Sequence, residues 1–426
     1  MTSNPQTNAA DIGSQSGREF DVVVYGASGF VGRLVAEYLA KHAPAGTKIG
    51  LAGRSERRLS EVRAGLPAAA RDWPILIADA HDGAALRAMA ARTTAIATTV
   101  GPYIRYGFDL AAACAETGTH CADLTGEVLF ARECIDQLDE TARATGARLV
   151  NSCGFDSIPS DLSVLMAYEY ARDHGLGELE EVTLYVMDMK GGLSGGTVDS
   201  ARATAEKIRK HPELRKILRD PYSLSPDRAH EPSGSSPATT TLAYSREVGG
   251  WVGPFIMAEH NVRVVRRSNA LFDWAYGRNF RYREVVRHGP GPLAPAAAIG
   301  TAVGLRGIFI GMALSPTRAV LDRMLPAPGE GPSREQREAG RFLIEVRAGT
   351  SSGNTVVVRF GARADPGYLA TSIMLGESAL CLALDGLRLP NRSGVLTPAT
   401  AMGDPLVDRL RAAGFEATTK VIRRAP

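Results

Sequence analysis

The sequence predicts an α/β protein, with an N-terminal doubly wound parallel sheet followed by a second, mixed α+β domain. Three observations carry this. From residue 19 to about 155, short apolar runs of strand length alternate with segments of helical period, the pattern of repeated β-α units. The first of these runs ends in a glycine-punctuated turn that opens a helix. From Glu181 onward, half-buried alternating strands separated by glycine- and proline-rich connections take over.

Residues 1–18 are polar, contain no apolar core and read as a disordered leader rather than a signal peptide. The first strand, Val22–Tyr25, runs straight into Gly26, Gly29 and Gly32, and Leu34–Ala40 continues at helical spacing. Gly26 suits a sharp reversal, Gly29 leaves room for a pyrophosphate against the backbone, and Gly32 lets helix and strand pack closely. The turn and helix start formed by Ser28, Gly29, Phe30, Val31 and Gly32 then face a phosphate with the helix dipole behind them. This is a Rossmann-type dinucleotide turn in its proper strand-to-helix context.

The second strand, Lys48–Ala52, ends at Gly53-Arg54-Ser55, where an NAD site carries an acidic residue for the ribose hydroxyls. Here Arg54 offers a planar cationic fork and Ser55 a hydroxyl, with Arg57 and Arg58 next, a set suited to a 2′-phosphate. The expected cofactor is NADPH. A charge-assisted hydrogen bond contributes about 1.5–3 kcal/mol, so one or two favour NADPH over NADH by roughly tenfold to a few hundredfold. The same residues also suit a solvated basic helix start.

Trp73–Ala78 supplies the third strand and ends at Asp79, placed near the adenine, while Asp82 caps the next helix. The fourth strand, Ala95–Val100, leads into Gly101-Pro102-Tyr103 at the carboxyl edge of the sheet, where ligands bind. His120–Asp123 and Arg148–Asn151 are the fifth and sixth strands, the latter entering the turn-rich loop Ser152–Asp161. Val100, Gly101, Pro102, Asp123, Gly154 and Phe155 therefore complete the expected cofactor-binding set.

In the second domain, Val182–Met187 reads as a strand and Lys190–Thr197 as a glycine-rich loop opening a basic helix from Val198 through Arg219. Residues 220–240 read as a mobile connection. Phe255–Val265, Tyr282–Val286, Phe342–Ala348 and Thr355–Ala362 are further expected strands, and Thr371–Leu384 an apolar helix. The expected domains are 19–155, 156–370 and 371–426, the last packing back on the first. Residues 291–314 are almost continuously apolar around the single charge of Arg306, but their prolines and glycines argue against a simple membrane span. A buried helix and a lipid-facing helix touching the inner face of the membrane both remain open.

At 426 residues and 44% hydrophobic content the chain can bury two cores, and a net charge of +3 without a recognisable reading helix or aromatic-basic platform excludes a nucleic-acid binder. Five cysteines without a C-x-x-C pair suit reduced thiols in a cytoplasm. The scattered histidines form no H-E-x-x-H or Cys/His pattern, so no metal is expected, and the lack of G-x-S-x-G argues against an acyl hydrolase.

The segments Y-G-A-S-G-F-V-G, L-A-G-R-S, T-T-V-G-P-Y, A-D-L-T-G-E, C-G-F-D-S-I-P-S-D-L, S-G-G-T, R-R-S-N-A-L-F-D-W-A-Y-G-R and L-G-E-S-A-L together resemble the saccharopine dehydrogenase-like oxidoreductases. More narrowly they are similar to the mycobacterial trans-acting enoyl reductases, over nearly all of residues 19–420. The resemblance implies NADPH-dependent reduction of a C=C bond in a polyketide or fatty-acyl chain during complex lipid assembly of the phthiocerol type. It implies as partner an acyl carrier domain of a polyketide synthase, or an acyl thioester. An acidic carrier would meet the basic helix Lys207–Arg219 or the cluster Arg263, Arg266 and Arg267. The candidate proton donors are Tyr103 first, then Asp156 and Lys190, with amides at Gly101–Tyr103 or Gly195–Thr197 set to stabilise an enolate. A saccharopine-type amino-acid oxidoreductase and a lipid-associated NADP-binding protein without turnover remain alternatives, and an oligomer is compatible with all of them.

Overall fold

The computed structural model describes residues 17–191, 195–231, 238–240, 242–313 and 331–423. The expected leader thus lies outside the described residues up to residue 16, while Arg18 is anchored through its guanidinium to the Thr117 carbonyl at 2.7 Å.

Seven strands build the first sheet: β1 (Phe20–Tyr25), β2 (Ile49–Gly53), β3 (Ile75–Ile77), β4 (Thr93–Thr98), β5 (His120–Ala122), β6 (Arg148–Val150) and β13 (Gly394–Leu396). Their order is β13-β6-β5-β4-β1-β2-β3, and every pairing is parallel. Val22, Val23 and Val24 are fully buried, as a strand covered by helices on both faces requires. Six of the strands are those read from the sequence. The seventh, three residues long like β3, β5 and β6, joins from the far end of the chain, outside the β-α repeat that marks the others. Chain direction leaves β1 both ways, to β2 and to β4, so a crevice opens at the carboxyl ends of β1 and β4.

The second sheet comprises β7 (Leu179–Lys190), β8 (Ala243–Ser245), β9 (Gly250–Pro254), β10 (Arg281–Gly289), β11 (Arg341–Thr350), β12 (Thr355–Ala362) and β14 (Glu416–Ile422), in the order β14-β12-β11-β7-β10-β9-β8. It is mixed, with β7 and β10 parallel and its other pairs antiparallel.

Phe255–Val265 is not the expected strand. β9 ends at Pro254, and Ala258–Leu271 is an α-helix in which every residue but Glu259 is buried. The stretch V-R-V-V alternates as a half-buried strand would, and the helix's arginines, which read as a solvent face, are buried. The basic helix is also interrupted. Gly195–Lys210 forms one helix and Arg215–Arg219 a second, separated by Pro212. Within the expected mobile connection, Tyr222, Leu224 and Ser225 are buried, and residues 232–237 lie outside the described residues.

Helix Thr371–Leu384 packs against helix Phe30–His42 and strands β1, β4 and β5. By length and apolarity the stretch Pro366–Leu384 could cross a membrane, but it is 72% buried inside the fold and serves as a core helix. The end of the chain turns away from the first sheet, because β14 pairs with β12 along Glu416–Ile422. In the apolar segment, helix Ala294–Ala313 buries Ala294, Ala298 and Ala302 at i, i+4 and i+8 and exposes Ile299 and Val303, with Leu293 exposed just before it.

Candidate functional site

The crevice begins at the β1 turn. Gly26 has φ +88°, and a Cβ there would stand 2.7 Å from Val100 Cγ2 and 2.8 Å from Thr99 Oγ1. A Cβ on Gly32 would lie 2.2 Å from the Gly26 carbonyl oxygen, so helix and strand meet at contact distance. The Gly29 amide is spent inside the turn on Gly26 O at 2.9 Å, and the first amide bonded within the helix is that of Arg33, to Gly29 O at 3.0 Å. The amides of Phe30, Val31 and Gly32 therefore lack helical partners and point out of the helix start. Ser28 lies half-buried in the turn.

At the end of β2, Arg54 is exposed and forms no ion pair among the described residues. Ser55 is the N-cap of helix Glu56–Gly65, accepting from Arg58 N at 3.5 Å, and Arg57 pairs with Glu61 at 2.6 Å. Arg57 is thus held by a carboxylate on its own helix, while Arg54 and Arg58 are exposed and form no ion pair among the described residues. Asp79, after β3, is exposed and accepts from the His81 amide at 3.0 Å. Burial, reinforced by the Asp79 charge, pushes the Tyr25 phenol up to about 12.

After β4, Val100 and Gly101 line the crevice and a cis peptide leads into the buried Pro102. Tyr103 does not present its phenol there. Its hydroxyl donates to Thr98 O at 2.9 Å and accepts from the Leu124 amide at 3.0 Å, with the ring 5% exposed. Burial raises its pKa well above the usual phenol range. Both hydrogen-bonding positions are occupied by backbone, so Tyr103 braces the β4 and β5 turns against each other and has no proton to spare.

A residue to which sequence reasoning assigned no role anchors the same turn. Glu127 accepts from the Tyr103 amide at 2.9 Å and the Ile104 amide at 2.7 Å, one per carboxylate oxygen, and from Ser200 Oγ at 2.6 Å. The motif A-D-L-T-G-E contained it, but a carboxylate capping a helix 24 residues upstream has no local signature.

At the β5 and β6 edge, Asp123 Oδ1 accepts from Thr125 N and Ser152 N, each at 2.9 Å, and Oδ2 from Asn151 Nδ2 at 2.6 Å. Burial lifts this carboxyl to about 6 against the pull of those donors. Both oxygens are engaged within the chain, which makes Asp123 a stitch between two loops. Gly154 is required by close approach, since a Cβ would sit 2.8 Å from Leu124 Cδ2 and 3.0 Å from Thr371 Cγ2. Phe155 donates its amide to Thr371 Oγ1 at 3.0 Å and packs edge-on against Phe342 of β11 at 4.8 Å. Ser157 is buried and donates to Asn261 Oδ1 at 3.0 Å.

Asp156 differs from its neighbours. It is only half-buried, beside Gly126, whose Cβ would lie 3.5 Å from Asp156 Oδ1 and 3.5 Å from Met257 Cε. Loss of hydration, aided by the Asp123 charge, raises its pKa to about 7. Lys190 is exposed at the end of β7, and among the described residues no contact joins it to Asp156 or Tyr103.

Helix Gly195–Lys210 lies across the mouth of the crevice. At its start the Gly195 amide donates to Tyr368 OH at 3.2 Å, and the Tyr368 ring packs on Phe30 of the β1 turn at 5.0 Å. Further along, Ser200 reaches Glu127, Glu206 pairs with Arg105 at 2.6 Å, and Lys207 with Glu133 at 2.8 Å. The expected docking cluster Arg263, Arg266 and Arg267 lies elsewhere, 3%, 2% and 3% exposed. These guanidinia donate to the carbonyls of Leu218, Pro221, Leu224 and Val395, struts that pin the connection once expected to be mobile.

A cradle that any Cβ would fill, free amides at a helix start and a cation after β2 fit a dinucleotide with a 2′-phosphate, and a second sheet walls off the reacting end. This defines an oxidoreductase of the NADP-binding, doubly wound class. Residues 22–151 match the family model described as the saccharopine dehydrogenase NADP binding domain. Over 412 residues the chain is 49% identical to a Mycobacterium tuberculosis protein provisionally named trans-acting enoyl reductase, covering 94% of this chain and 98% of that one. It is 44% identical to trans-acting enoyl reductases of Mycobacterium bovis over 410 residues and of Mycobacterium ulcerans over 413, again covering 94% and 98%. Apo saccharopine dehydrogenase (L-Glu forming) from Saccharomyces cerevisiae shares the fold, with a TM-score of 0.52 at 14% identity over 94% of this chain and 99% of that one. The chain belongs to the saccharopine dehydrogenase-like family, in the branch that holds the trans-acting enoyl reductases, and is an NADP(H)-dependent oxidoreductase.

Proposed function

We propose that this protein is a trans-acting enoyl reductase, reducing the C=C bond of an enoyl thioester in a polyketide or fatty-acyl chain during complex lipid assembly of the phthiocerol type. The observation that carries the reading is the near full-length similarity, at 49% identity, to a relative of that name. In this reading Gly26, Ser28 and the amides of Phe30, Val31 and Gly32 hold the pyrophosphate, Arg54 and Ser55 the 2′-phosphate, and Val100, Gly101 and Pro102 border the nicotinamide end. Gly154 and Phe155 close its far side, and Asp79 borders the adenosine. Bound NADPH supplies a hydride for the β-carbon of the enoyl thioester.

The electron pair displaced from the double bond moves onto the thioester oxygen, to which backbone N–H groups after Gly195, in the first turn of helix Gly195–Lys210, would donate hydrogen bonds. The α-carbon then needs a proton. Asp156 is assigned this role because its carboxyl is half-open and burial pushes it up to about 7, the range that suits a general acid near neutral pH. Tyr103, whose hydroxyl is committed at both ends, is a brace in this scheme, and exposed Lys190 stands aside from the proton path.

The carrier partner meets charge that the fold leaves free. Lys207 and Lys210 are neutralised by Glu133 and Glu206, at 2.8 and 3.0 Å. Arg215, Lys216 and Arg219 form no ion pair among the described residues and line an open cleft of about 740 Å³ beside Arg228, which pairs with Asp220. An acidic acyl carrier domain fits this surface better than the buried arginine cluster. Contact of Leu293, Ile299 and Val303 with the inner face of the membrane completes the reading, and failure to float with vesicles removes that part.

The deciding experiment follows NADPH and NADH oxidation by purified protein with free and carrier-bound enoyl thioesters. Reduction with NADPH is expected, and reversing charge at Arg215, Lys216 and Arg219 should raise the KM for the carrier-bound substrate alone. Tight NADPH binding without reduction of any enoyl thioester in either form would discard the enoyl reductase reading.

A further inference from the structure

Glu127 sits where two parts of the molecule meet, and its chemistry is unusual for a carboxylate 3% exposed. It is held by hydrogen-bond donors, without an ion pair among the described residues. Two of those donors are the first two amides of the short helix Tyr103–Tyr106, which opens directly after Gly101–Pro102. The third is Ser200 Oγ, on the helix that crosses the crevice mouth. Its own amide is tied to Thr125 Oγ1 at 3.1 Å, so the side chain projects from a fixed base.

We propose that Glu127 is a positioning residue that sets the Gly101–Pro102 turn and the covering helix at one fixed separation, and thereby the width of the crevice at the nicotinamide end. This rests on the reading that the cofactor lies along Val100–Pro102. The geometry demands a carboxylate in particular. With one acceptor oxygen for each amide, both bonds are satisfied and charge-assisted. A Gln would turn an NH₂ donor against one of two N–H donors, leaving a buried amide unpaired. The Ser200 bond adds a dependence between the two sites: when the turn shifts, the cover loses its hold.

The test compares Glu127→Gln, Ser200→Ala and, as a stability control, Leu138→Ala, which hollows a buried position on helix Val128–Thr145, the helix that Glu127 precedes, remote from the turn. The readouts are NADPH affinity by nicotinamide fluorescence, hydrogen exchange at the amides of Tyr103 and Ile104, and KM against kcat for an enoyl thioester. Glu127→Gln is expected to weaken NADPH binding about tenfold, the equivalent of one charge-assisted bond, and to speed exchange at both amides. Ser200→Ala should leave NADPH affinity within about twofold while raising the thioester KM several-fold, and adding it to Glu127→Gln should raise that KM no further. Leu138→Ala should lower Tm without either effect.

Unchanged NADPH affinity and exchange in Glu127→Gln would overturn the assignment, as would an equal loss of affinity in Leu138→Ala at matched Tm. Should Glu127→Gln fail to fold, Ser200→Ala decides alone, and an unaltered thioester KM in it sinks the proposal. Wild-type protein that does not bind NADPH would instead remove the cofactor placement beneath it.

Discussion

The carboxyl edge of the first sheet and the polar spine behind it hold acids raised to about the same pKa, yet only one of the two regions leaves its acid accessible. Burial raises Asp156, Asp161 and Glu284 alike to about 7. In the spine, Asp161 Oδ2 accepts from the Ala399 amide at 2.8 Å while Oδ1 takes the Ser268 hydroxyl, which also meets Thr397 at 2.6 Å. Glu284 takes Tyr282 OH at 2.7 Å and Asn261 Nδ2 at 2.9 Å, and Asn261 in turn meets Ser160 and Ser157. Those acids are closed in, 0% exposed, and join helix Ile158–Asp173 to helix Ala258–Leu271, β10 and the segment after β13. Asp156 is half-open and bordered by Gly126 and Met257. A shifted pKa therefore reports burial; access and unspent hydrogen-bonding capacity decide whether a proton can leave.

The sharpest way to break this comparison is to neutralise one acid in each region. Asp156→Asn is expected to lower kcat by roughly 10²–10⁴ with NADPH affinity unchanged, the usual share of a positioned general acid. Asp161→Asn should spare kcat and cost about 1–3 kcal/mol in urea unfolding, because its new NH₂ faces the Ala399 amide. Equal kinetics for the two variants would erase the distinction. The kcat–pH profile sharpens it further: the reacting form is the protonated acid, so kcat should decline as pH rises through about 7, and Asp156→Asn should flatten that limb.

Arg54→Ala probes the open edge from its other end. NADPH affinity should fall by roughly tenfold to a few hundredfold with NADH affinity unmoved, read by titration of each nucleotide.

The smallest effect is expected at a third site, where partly buried Glu169 meets Asp404. Glu169, beside Asp404, is raised from its ordinary 4.5 to about 8, first by burial and then by its acidic neighbour. The folded chain holds this proton more tightly than the unfolded one. Its contribution is complete below pH 4.5 and is lost as pH rises through 8. Partial exposure reduces the effect to about 1 kcal/mol. Glu169→Gln should remove that slope from a series of denaturant melts across this range, and an unchanged slope would place the proton elsewhere.

How far the site could be read in advance depended on distance along the chain. Gly26, Gly29 and Gly32 stand within seven residues and announce their geometry through what a side chain there would strike. Arg54 announced itself by replacing an acid at a known separation. At Tyr103, a tyrosine at a strand end, the sequence shows the hydroxyl but not the Thr98 and Leu124 backbone that occupies it. Arg263, Arg266 and Arg267 misled: clustered charge reads as a surface until the carbonyls of 218–224 close over it. Glu127, Ser200 and Tyr368 left no trace, meeting their partners across 24, 73 and 173 residues.

The sequence by itself determined the parallel sheet, the glycine turn and the basic residue after β2, because each follows from local periodicity or from steric demands within one β-α unit. Only the tertiary structure decided that the Ala258–Leu271 segment is a helix, that β13 and β14 return to different sheets, and which of three carboxyls raised to about 7 stands open. Those outcomes depend on burial and on partners contributed from remote parts of the chain, and the free energy of a charge is set by what surrounds it once those parts have met.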